Sequence, residues 1–496
     1  MHSFLAFLWN SKVQYTAFAY FVLVGFSVLF YYLLPKRLRW AVILVTNCIF
    51  LYWANDHGKK RVLVFLSSIL VSYLFGLIIE KNHKSKISKI ALCSGVILAG
   101  LPFFAARWNE LVIRTIMNKS VVALIVPIGL SFYSLQIIAY LVDIYKGKIK
   151  AQKNIVKYFT FCTFFPQLIQ GPIPRYDKLE TQLEEGHKFD DREFVKGFML
   201  IIWGFFLKYM IADKAGIFVD RVFEGYNLYS GAYILMAGIL YSLQLYTDFM
   251  SCTVLSQGVA ELYGIHLGEN FNHPYFSTSI RDFWRRWHIS FSSWLRDYIY
   301  ISLGGNRKGK LRKYVNVGIT FAVSGLWHGG NYKFIAWGIL HAFYQVYEGL
   351  MDGLRSKVYN ALKIYDNSRV KKTVKIIWTY FWVMLGWIIF RADSLMHGLS
   401  MIKRIFVSFD PWTFTGDRLL GLGLDWKDWI TLILALFILL VVSYMQEKRT
   451  EGIRDRILRM SLPTRWIIYI AAISFIVIYG TYGMGFEAKD FIYGGF

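Results

Sequence analysis

The chain has 496 residues, of which 56% are hydrophobic and 18% aromatic, and its mean hydropathy is +0.39. A soluble protein of this length divides into two or three cores, whereas this chain repeats apolar runs of membrane-spanning length, about 17–25 residues. The composition therefore excludes an ordinary soluble protein and predicts a polytopic membrane protein. The formal net charge of +24 lies in short loops between those runs, which argues for membrane topology and against nucleic-acid binding.

Twelve apolar runs are predicted as membrane segments. In residue numbers they are 15–34, 40–53, 62–79, 90–106, 121–144, 194–212, 232–249, 315–327, 334–350, 374–390, 429–444 and 466–482. Several are short, notably 40–53 and 315–327, and short runs can re-enter the membrane instead of crossing it. The prediction is an all-α fold with roughly 11–14 membrane segments. Residues 1–496 are predicted to form a single membrane-embedded domain.

Basic residues are concentrated in alternate loops. The first loop contains Lys36, Arg37 and Arg39, the third Lys81, Lys84, Lys86 and Lys89, and the fifth Lys146, Lys148, Lys150, Lys153 and Lys157. Because loops rich in Lys and Arg stay in the cytoplasm, the N-terminus is predicted to lie outside.

The four cysteines all lie in apolar runs, and no two have metal-ligand spacing. They are Cys48, Cys93, Cys162 and Cys252. The sequence predicts neither a disulfide framework nor a zinc site, and it favours small buried hydrophobic residues.

Polar groups interrupt two apolar runs in the first half of the chain. Gln167 and Gln170 lie among prolines and a glycine at the end of one run, which predicts irregular backbone that is buried in protein or lines water. Asp248 lies near Gln244 and Gln257, and it is interpreted either as a buried residue of a site or as a charge at a helix end. The helix-end charge is slightly favoured.

Residues 281–300 are predicted to form one amphipathic helix. Trp284, Trp287, Phe291, Leu295 and Tyr298 fall on its apolar face. Arg281, Arg285 and Arg296 fall on the flank, and His288 lies at the seam between the two. Such a helix lies at an interface or re-enters the membrane. A histidine that only packs at the boundary is an equally good interpretation.

The most informative stretch is Trp327-His328-Gly329-Gly330, between two apolar runs. An ionisable side chain at membrane depth is costly and usually functional. A neutral His328 can accept a proton near neutral pH, and Asn331 is placed to orient it. The alternative is a buried histidine satisfied by a backbone carbonyl.

The next run carries a polar stripe of His341, Gln345 and Glu348, at spacing i, i+4, i+7. It lines either a cavity or a helix–helix contact. The chain has no phosphate-binding P-loop, no nucleophile elbow and no dinucleotide fingerprint.

Several long strings, in matching order, resemble the membrane-bound O-acyltransferase family. They are PIGLSFYSLQIIAYLVDIYKG (127–147), FFPQLIQGPIPRYDKL (164–179), ENFNHPY (269–275), RDFWRRWHIS (281–290) with WLRDYIYISLGGNRKG (294–309), and GLWHGGNYKFIAWGILHAFY (325–344). Length and the final Phe491-Ile492-Tyr493 make the chain most similar to the bacterial alginate-acetylating subgroup. After Asp248-Phe249 it departs from that subgroup's usual Ser-Gly-Tyr, which leaves the acceptor and partner open.

The resemblance implies a ring of helices around a thin central region with a tunnel, in the bacterial cytoplasmic membrane. It makes His328 the essential histidine and His288 the second signature histidine. The donor would be acetyl-CoA or an acyl carrier protein on the cytoplasmic side, with no bound cofactor or metal. The acetyl group would pass outward, to a secreted or membrane-anchored partner that O-acetylates a surface polysaccharide.

The chemistry of acyl transfer agrees with the residues. A hydroxyl needs a general base, here His328, and donors for the developing oxyanion, here His288 or an amide. Arg281, Arg285 and Arg296 are candidates to hold donor phosphates. Asn331, His341, Gln167 and Gln170 are further candidate substrate-binding residues.

Three alternatives stay open on the sequence. The first is D-alanyl transfer from a carrier protein to a cell-wall polymer. The second is a secondary transporter of a lipid or glycan, which also uses intramembrane histidines and broken helices but is disfavoured because no inverted repeat is evident. The third is a non-catalytic scaffold of a polysaccharide-modifying complex.

Overall fold

The computed structural model describes residues 15–117, 119–120, 123–361, 368–415, 417–448 and 452–482. The regular structure of these residues is helical throughout, without a strand. The predicted all-α polytopic fold is therefore confirmed. The C-terminal Phe491-Ile492-Tyr493 lie outside the described residues.

The described residues group into two compact units. The first unit comprises residues up to Phe205 together with Ser251–Glu269. Its helices are α1 (Phe18–Leu33), α2 (Arg39–Ala54), α3 (Lys59–Lys81), α4 (Lys86–Ala99), α5 (Leu101–Trp108), α6 (Leu130–Tyr145), α7 (Ile155–Thr163), α8 (Tyr176–Glu185) and α9 (Asp191–Phe205), with a π-helical segment at Asn109–Ile116. The single domain expected over residues 1–496 stays a prediction.

The second unit comprises Phe206–Met250 and the residues that follow Glu269. It contains α10 (Asp213–Glu224), most of α11 (Gly231–Glu261), α12 (Ile280–Arg286), α13 (Ile289–Leu295), α14 (Gly309–His328), α15 (Tyr332–Ala361), α16 (Arg369–Arg391), α17 (Leu395–Val407), α18 (Trp426–Lys448), α19 (Ile453–Leu458) and α20 (Leu462–Tyr479). Two π-helical segments, Phe206–Ala212 and Arg296–Tyr300, precede α10 and follow α13. Helix α11 passes from this unit into the first one after Met250.

Five described helices are long and apolar enough to cross a membrane. They are Lys59–Lys81, Asp191–Glu224, Arg369–Arg391, Trp426–Lys448 and Leu462–Tyr479. The pair Lys86–Ala99 and Leu101–Ile116, bent by 58°, makes a sixth if it is one span. This count is lower than the predicted 11–14 segments, which included short and re-entrant runs. The total number of membrane segments stays a prediction.

Buried aromatic rings form the core of the first unit. The ring of Phe165 lies between Tyr20, Phe50 and Tyr263, with centroid distances of 6.1, 5.7 and 6.1 Å. Such pairs stabilise by about 0.5–1.5 kcal/mol each beyond the burial of their area. Asn47 fixes the adjoining irregular backbone, since its Oδ1 accepts from the Phe165 amide at 3.0 Å. The irregular segment predicted between α7 and α8 is therefore confirmed, and it is buried.

Two glycines allow α14 and α15 of the second unit to pack in close contact. A Cβ at Gly325 would lie 2.1 Å from the carbonyl oxygen of Phe334, and one at Gly338 would lie 2.1 Å from that of Phe321. Small residues at such crossings let helix backbones approach closely in membrane proteins. This hairpin carries His328 at its turn.

None of the four cysteines forms a disulfide bond. Cys162 and Cys252 are buried, but Cys48 and Cys93 lie on exposed sides of α2 and α4. The expectation that all four are buried was therefore wrong for two of them. An apolar run does not by itself predict burial in a membrane protein, because a membrane helix carries apolar residues both where it faces lipid and where it packs against other helices.

The predicted orientation has a direct test. After replacement of the native cysteines, a cysteine at the exposed Ser85 should resist an impermeant maleimide in intact cells and react after permeabilisation. A cysteine at the exposed Lys60, at the opposite end of α3, should react in intact cells and serves as the matched control. Labelling in the reverse pattern would show that the N-terminus lies inside.

Candidate active site

His328 lies at the last turn of α14, at the break before α15. Its side chain is buried, with 3% of its surface exposed. Gly329 continues in extended conformation with φ 166°, and a Cβ there would lie 2.6 Å from Cε2 of Phe334. A side chain at position 329, next to His328, would therefore collide with the Phe334 ring. The predicted helix break is confirmed.

Residues 281–300 do not form the single helix predicted from their periodicity. Helix α12 ends at Arg286, His288 adopts a left-handed conformation with φ 45°, and α13 starts at Ile289. Asn270 holds this break, because its carbonyl accepts from the Ile289 amide at 2.8 Å and its Oδ1 accepts from the Ser290 amide at 3.2 Å. A non-glycine residue in this conformation is strained and persists only when its surroundings enforce it.

The predicted apolar face nevertheless becomes buried. Trp284, Trp287, Phe291, Leu295 and Tyr298 are all between 1% and 8% exposed. Two short helices can bury the same residues as one long helix when the break is compensated by tertiary contacts. The sequence periodicity therefore identified the buried side chains of this segment correctly, but it did not predict the break in the helix at His288.

The structure brings His288 and His328 into one aromatic cluster. The ring of Phe291 lies 5.0 Å from that of His288 and 6.0 Å from that of His328. The ring of Trp327 lies 5.9 Å from His288 and 4.8 Å from His328. Both imidazoles therefore share the same two neighbours, although they are 40 residues apart in the sequence.

Two further rings pack against His328 that the sequence did not single out. Trp337 and Phe390 each lie 5.2 Å from its ring, at 90° and 85°. Trp337 comes from α15 and Phe390 from α16, so that, with Phe291 of α13, rings from three other helices surround this imidazole. Position in an apolar run carried no signal that separates these two rings from other core aromatics.

His341 lies in the same aromatic cluster and is fully buried. Its Nδ1 accepts from the Trp284 indole at 3.3 Å, and its ring lies 5.0 Å from Trp337. Of the two interpretations left open for its stripe, the helix contact is the one observed for His341. Glu348, two turns further on, accepts hydrogen bonds from the Ile280 amide and so fixes the start of α12.

Asn331 does not orient His328. Its Oδ1 accepts from the Lys333 amide at 3.0 Å and caps the start of α15. A short side chain immediately before a helix is well placed to satisfy the helix's first amides, and that local bond competes with longer-range ones.

The three candidate arginines are exposed. Arg281 and Arg285 lie one turn apart on α12, but Arg296 falls beyond the break, where its Nε donates to Asp297 at 2.9 Å. Their predicted grouping on one flank therefore holds only for Arg281 and Arg285. Arg286, which was not singled out, is bound by Asp282 and Glu447.

Gln167 and Gln170 belong to the first unit and are 4% and 1% exposed. Neither side-chain amide has a hydrogen-bond partner among the described residues. Buried polar groups are nearly always satisfied, so these two amides are available to a polar molecule.

Asp248 is not a helix-end charge, and that interpretation was wrong. It lies inside α11, is 2% exposed, and its Oδ1 accepts from Lys208 Nζ at 2.7 Å. The partner is 40 residues away, so the local sequence could not reveal it.

The cluster is suited to proton transfer in a water-poor setting. Two imidazoles enclosed by aromatic rings can take up and return a proton while the low dielectric strengthens their interactions with a reacting group. Among the residues that the structure describes, no group of three or more His, Cys, Asp or Glu could hold a metal ion.

Comparisons with known proteins give a consistent result. The sequence model of the membrane-bound O-acyltransferase family matches residues 130–390. The chain is 34% identical over 392 residues to a probable alginate O-acetylase of Pseudomonas aeruginosa, covering 77% of this chain and 72% of that protein. It is 30% identical over 431 residues to a peptidoglycan O-acetyltransferase of Helicobacter pylori, covering 80% and 79%. It is also 27% identical over 400 residues to a teichoic acid D-alanyltransferase of Bacillus subtilis, covering 77% and 99%.

Proposed function

The chain belongs to the membrane-bound O-acyltransferase family and is an O-acyltransferase, and we propose that it passes acetyl groups outward for O-acetylation of a surface or secreted polysaccharide. The observation that carries this proposal is the common contact of His328 and His288 with Phe291 and Trp327. The bacterial cytoplasmic membrane is the proposed location. A secreted or membrane-anchored polysaccharide O-acetyltransferase is the proposed partner.

His328 is the proposed general base. The acceptor hydroxyl oxygen attacks the thioester carbonyl carbon while its proton passes to the His328 imidazole. The tetrahedral intermediate collapses with cleavage of the carbon–sulfur bond, and the proton is returned to the thiolate that leaves. His288 orients a reacting group or donates to the developing oxyanion.

The donor is a cytoplasmic thioester, either acetyl-CoA or an acyl carrier protein. Gln167 and Gln170, in the first unit, are proposed to contact a polar molecule, since their buried amides have no hydrogen-bond partner among the described residues. Arg281 and Arg285 are proposed to bind donor phosphates, because they are exposed and lie one turn apart. His341 packs in the aromatic cluster and Asn331 caps α15, so neither is proposed to contact the substrate.

The second candidate function is D-alanyl transfer to a cell-wall polymer. It is favoured by the similarity to the Bacillus subtilis D-alanyltransferase, which is covered over 99% of its length. Both functions use the same transfer chemistry and differ in the acyl group.

Ester-linked groups released from the host's envelope polysaccharide by mild base distinguish the two functions. Deletion of the gene should lower released acetate and leave D-alanine unchanged, and a plasmid copy should restore it. A loss of D-alanine alone would favour the second function. No change in either would overturn the proposal.

The arginine assignment predicts a specific kinetic effect. With protein in nanodiscs, Arg285→Ala should raise the donor KM severalfold and leave kcat nearly unchanged, the signature of lost uniform binding. Arg296→Ala, whose partner is Asp297, is the matched control and should change KM less. If the donor KM is unchanged in Arg281→Ala and Arg285→Ala, these arginines do not bind the donor. They would then only anchor α12 to anionic lipid, an interaction that contributes about 1 kcal/mol per residue.

A further inference from the structure

Three charged side chains form a buried cluster in the second unit. Lys208 Nζ lies 2.7 Å from Oδ1 of Asp248 and 2.9 Å from Oδ1 of Asp213. The three side chains are 4%, 3% and 5% exposed. The acyl-transfer chemistry proposed above uses none of them.

Such a cluster is costly to build in a membrane protein. Desolvation of buried charges can exceed their mutual attraction, and apolar residues of similar volume are often as stable. Ionisable groups inside membrane proteins are therefore rare and usually mark function. Stability alone is a poor explanation for these three residues.

The cluster joins two separate stretches of helix, because Lys208 and Asp213 both lie in the continuous stretch Asp191–Glu224, whereas Asp248 belongs to α11. Lys208 lies in the π-helical segment Phe206–Ala212, Asp213 begins α10, and Asp248 lies in the middle of α11. π-Helical segments inside α-helices occur frequently at functional sites. The helices also approach closely, because a Cβ at Gly216 of α10 would lie 2.7 Å from Nε2 of Gln244.

The residues beside Asp248 contact the histidine site. Phe249 is fully buried, and its ring meets that of His288 edge-on at 4.7 Å. Tyr246, two residues before Asp248, lies 6.1 Å from the ring of Trp287. Rotation of α11 about its axis would therefore displace both neighbours of the strained Trp287-His288 backbone.

We propose that Lys208, Asp213 and Asp248 are positioning residues for acyl transfer, which fix the rotation of α11 so that Phe249 holds His288 in place. The proposal rests on the function proposed above, in which His288 orients a reacting group. Displacement of a positioned group by about 1 Å can cost about a hundredfold in rate. The cluster acts on the chemical step through Phe249 and touches no substrate itself.

The test uses a variant that removes all three charges together, Lys208→Met/Asp213→Asn/Asp248→Asn, so that no buried charge is left unpaired. In nanodiscs its kcat should fall about 10- to 100-fold with little change in donor KM. The control is the neutral pair variant Lys214→Met/Asp428→Asn, which removes another ion pair of this unit, with Nζ–Oδ1 at 2.6 Å, and should keep kcat.

Combination with Phe249→Ala separates positioning from stability. If the cluster acts through Phe249, the two changes together should lower kcat little more than either one alone. Additive effects, or a wild-type kcat in the folded triple variant, would overturn the proposal. If the triple variant does not fold, Asp248→Asn combined with Phe249→Ala gives the same comparison.

Hydrogen exchange provides a measurement that needs no donor. The amides of Ile289 and Ser290, which bond to Asn270, should exchange faster in the triple variant than in the control pair variant. Faster exchange in the triple variant, combined with a wild-type protein that transfers no acyl group, would refute the proposed function and would still show that the cluster holds the backbone after His288. Unchanged exchange with normal activity would refute the positioning role alone.

Discussion

Replacing His328 with Ala is expected to abolish acyl transfer while the protein still inserts and folds. The imidazole is the proposed general base, and general acid–base catalysis contributes about 10²–10⁴-fold. The test measures ester-linked acetate on the host polysaccharide, with the amount of membrane protein controlled by immunoblot. Acetylation near the wild-type level in His328→Ala would rule out His328 as the base.

Two comparisons make that result specific. His83, exposed in the loop after α3, is the control position, and His83→Ala should keep full activity. His288→Gln should retain measurable activity, because an amide can replace one hydrogen bond of an orienting group, whereas His328→Gln should retain none. If both glutamine variants are equally inactive, the two histidines act as one catalytic unit.

Replacing Gly325 with Ala is expected to have the second largest effect. The new Cβ would lie 2.1 Å from the Phe334 carbonyl oxygen, a contact that only backbone movement can relieve. Overpacking costs about 1–3 kcal/mol, and here it also displaces the helix that ends at His328. We expect a lower thermal midpoint in detergent and a loss of activity of about a hundredfold.

The same helix offers the matched control. Gly318, two turns before Gly325 in α14, has no atom within 4 Å of the position its Cβ would occupy. Gly318→Ala should therefore keep wild-type activity and gain slightly in stability, since alanine favours helix by up to about 1 kcal/mol over glycine. Equal loss of activity in both variants would show that close packing of α14 on α15 does not position His328.

The sequence by itself determined the class of the protein and pointed to His328 and His288 as candidate site residues. Repeated apolar runs required a helical membrane protein, because only helices satisfy their backbone hydrogen bonds within one segment. The Gly329-Gly330 pair determined where α14 ends and left His328 at the break. The apolar face from Trp284 to Tyr298 was identified correctly as buried, since burial depends on composition and spacing more than on backbone detail.

Only the tertiary structure decided how these residues meet. The helix predicted over residues 281–300 breaks at His288, which adopts a left-handed conformation. Asn270, which lies outside that segment, accepts the hydrogen bonds of the Ile289 and Ser290 amides and so fixes the start of α13. Asp248 was misjudged for a similar reason, because its charge is compensated by Lys208, 40 residues away. Local periodicity reports which side of a helix is apolar, but it carries no information about a bond partner from another element. The contact of His288 and His328 with the same two rings is of this long-range kind, so the sequence could suggest both histidines without showing that they share one site.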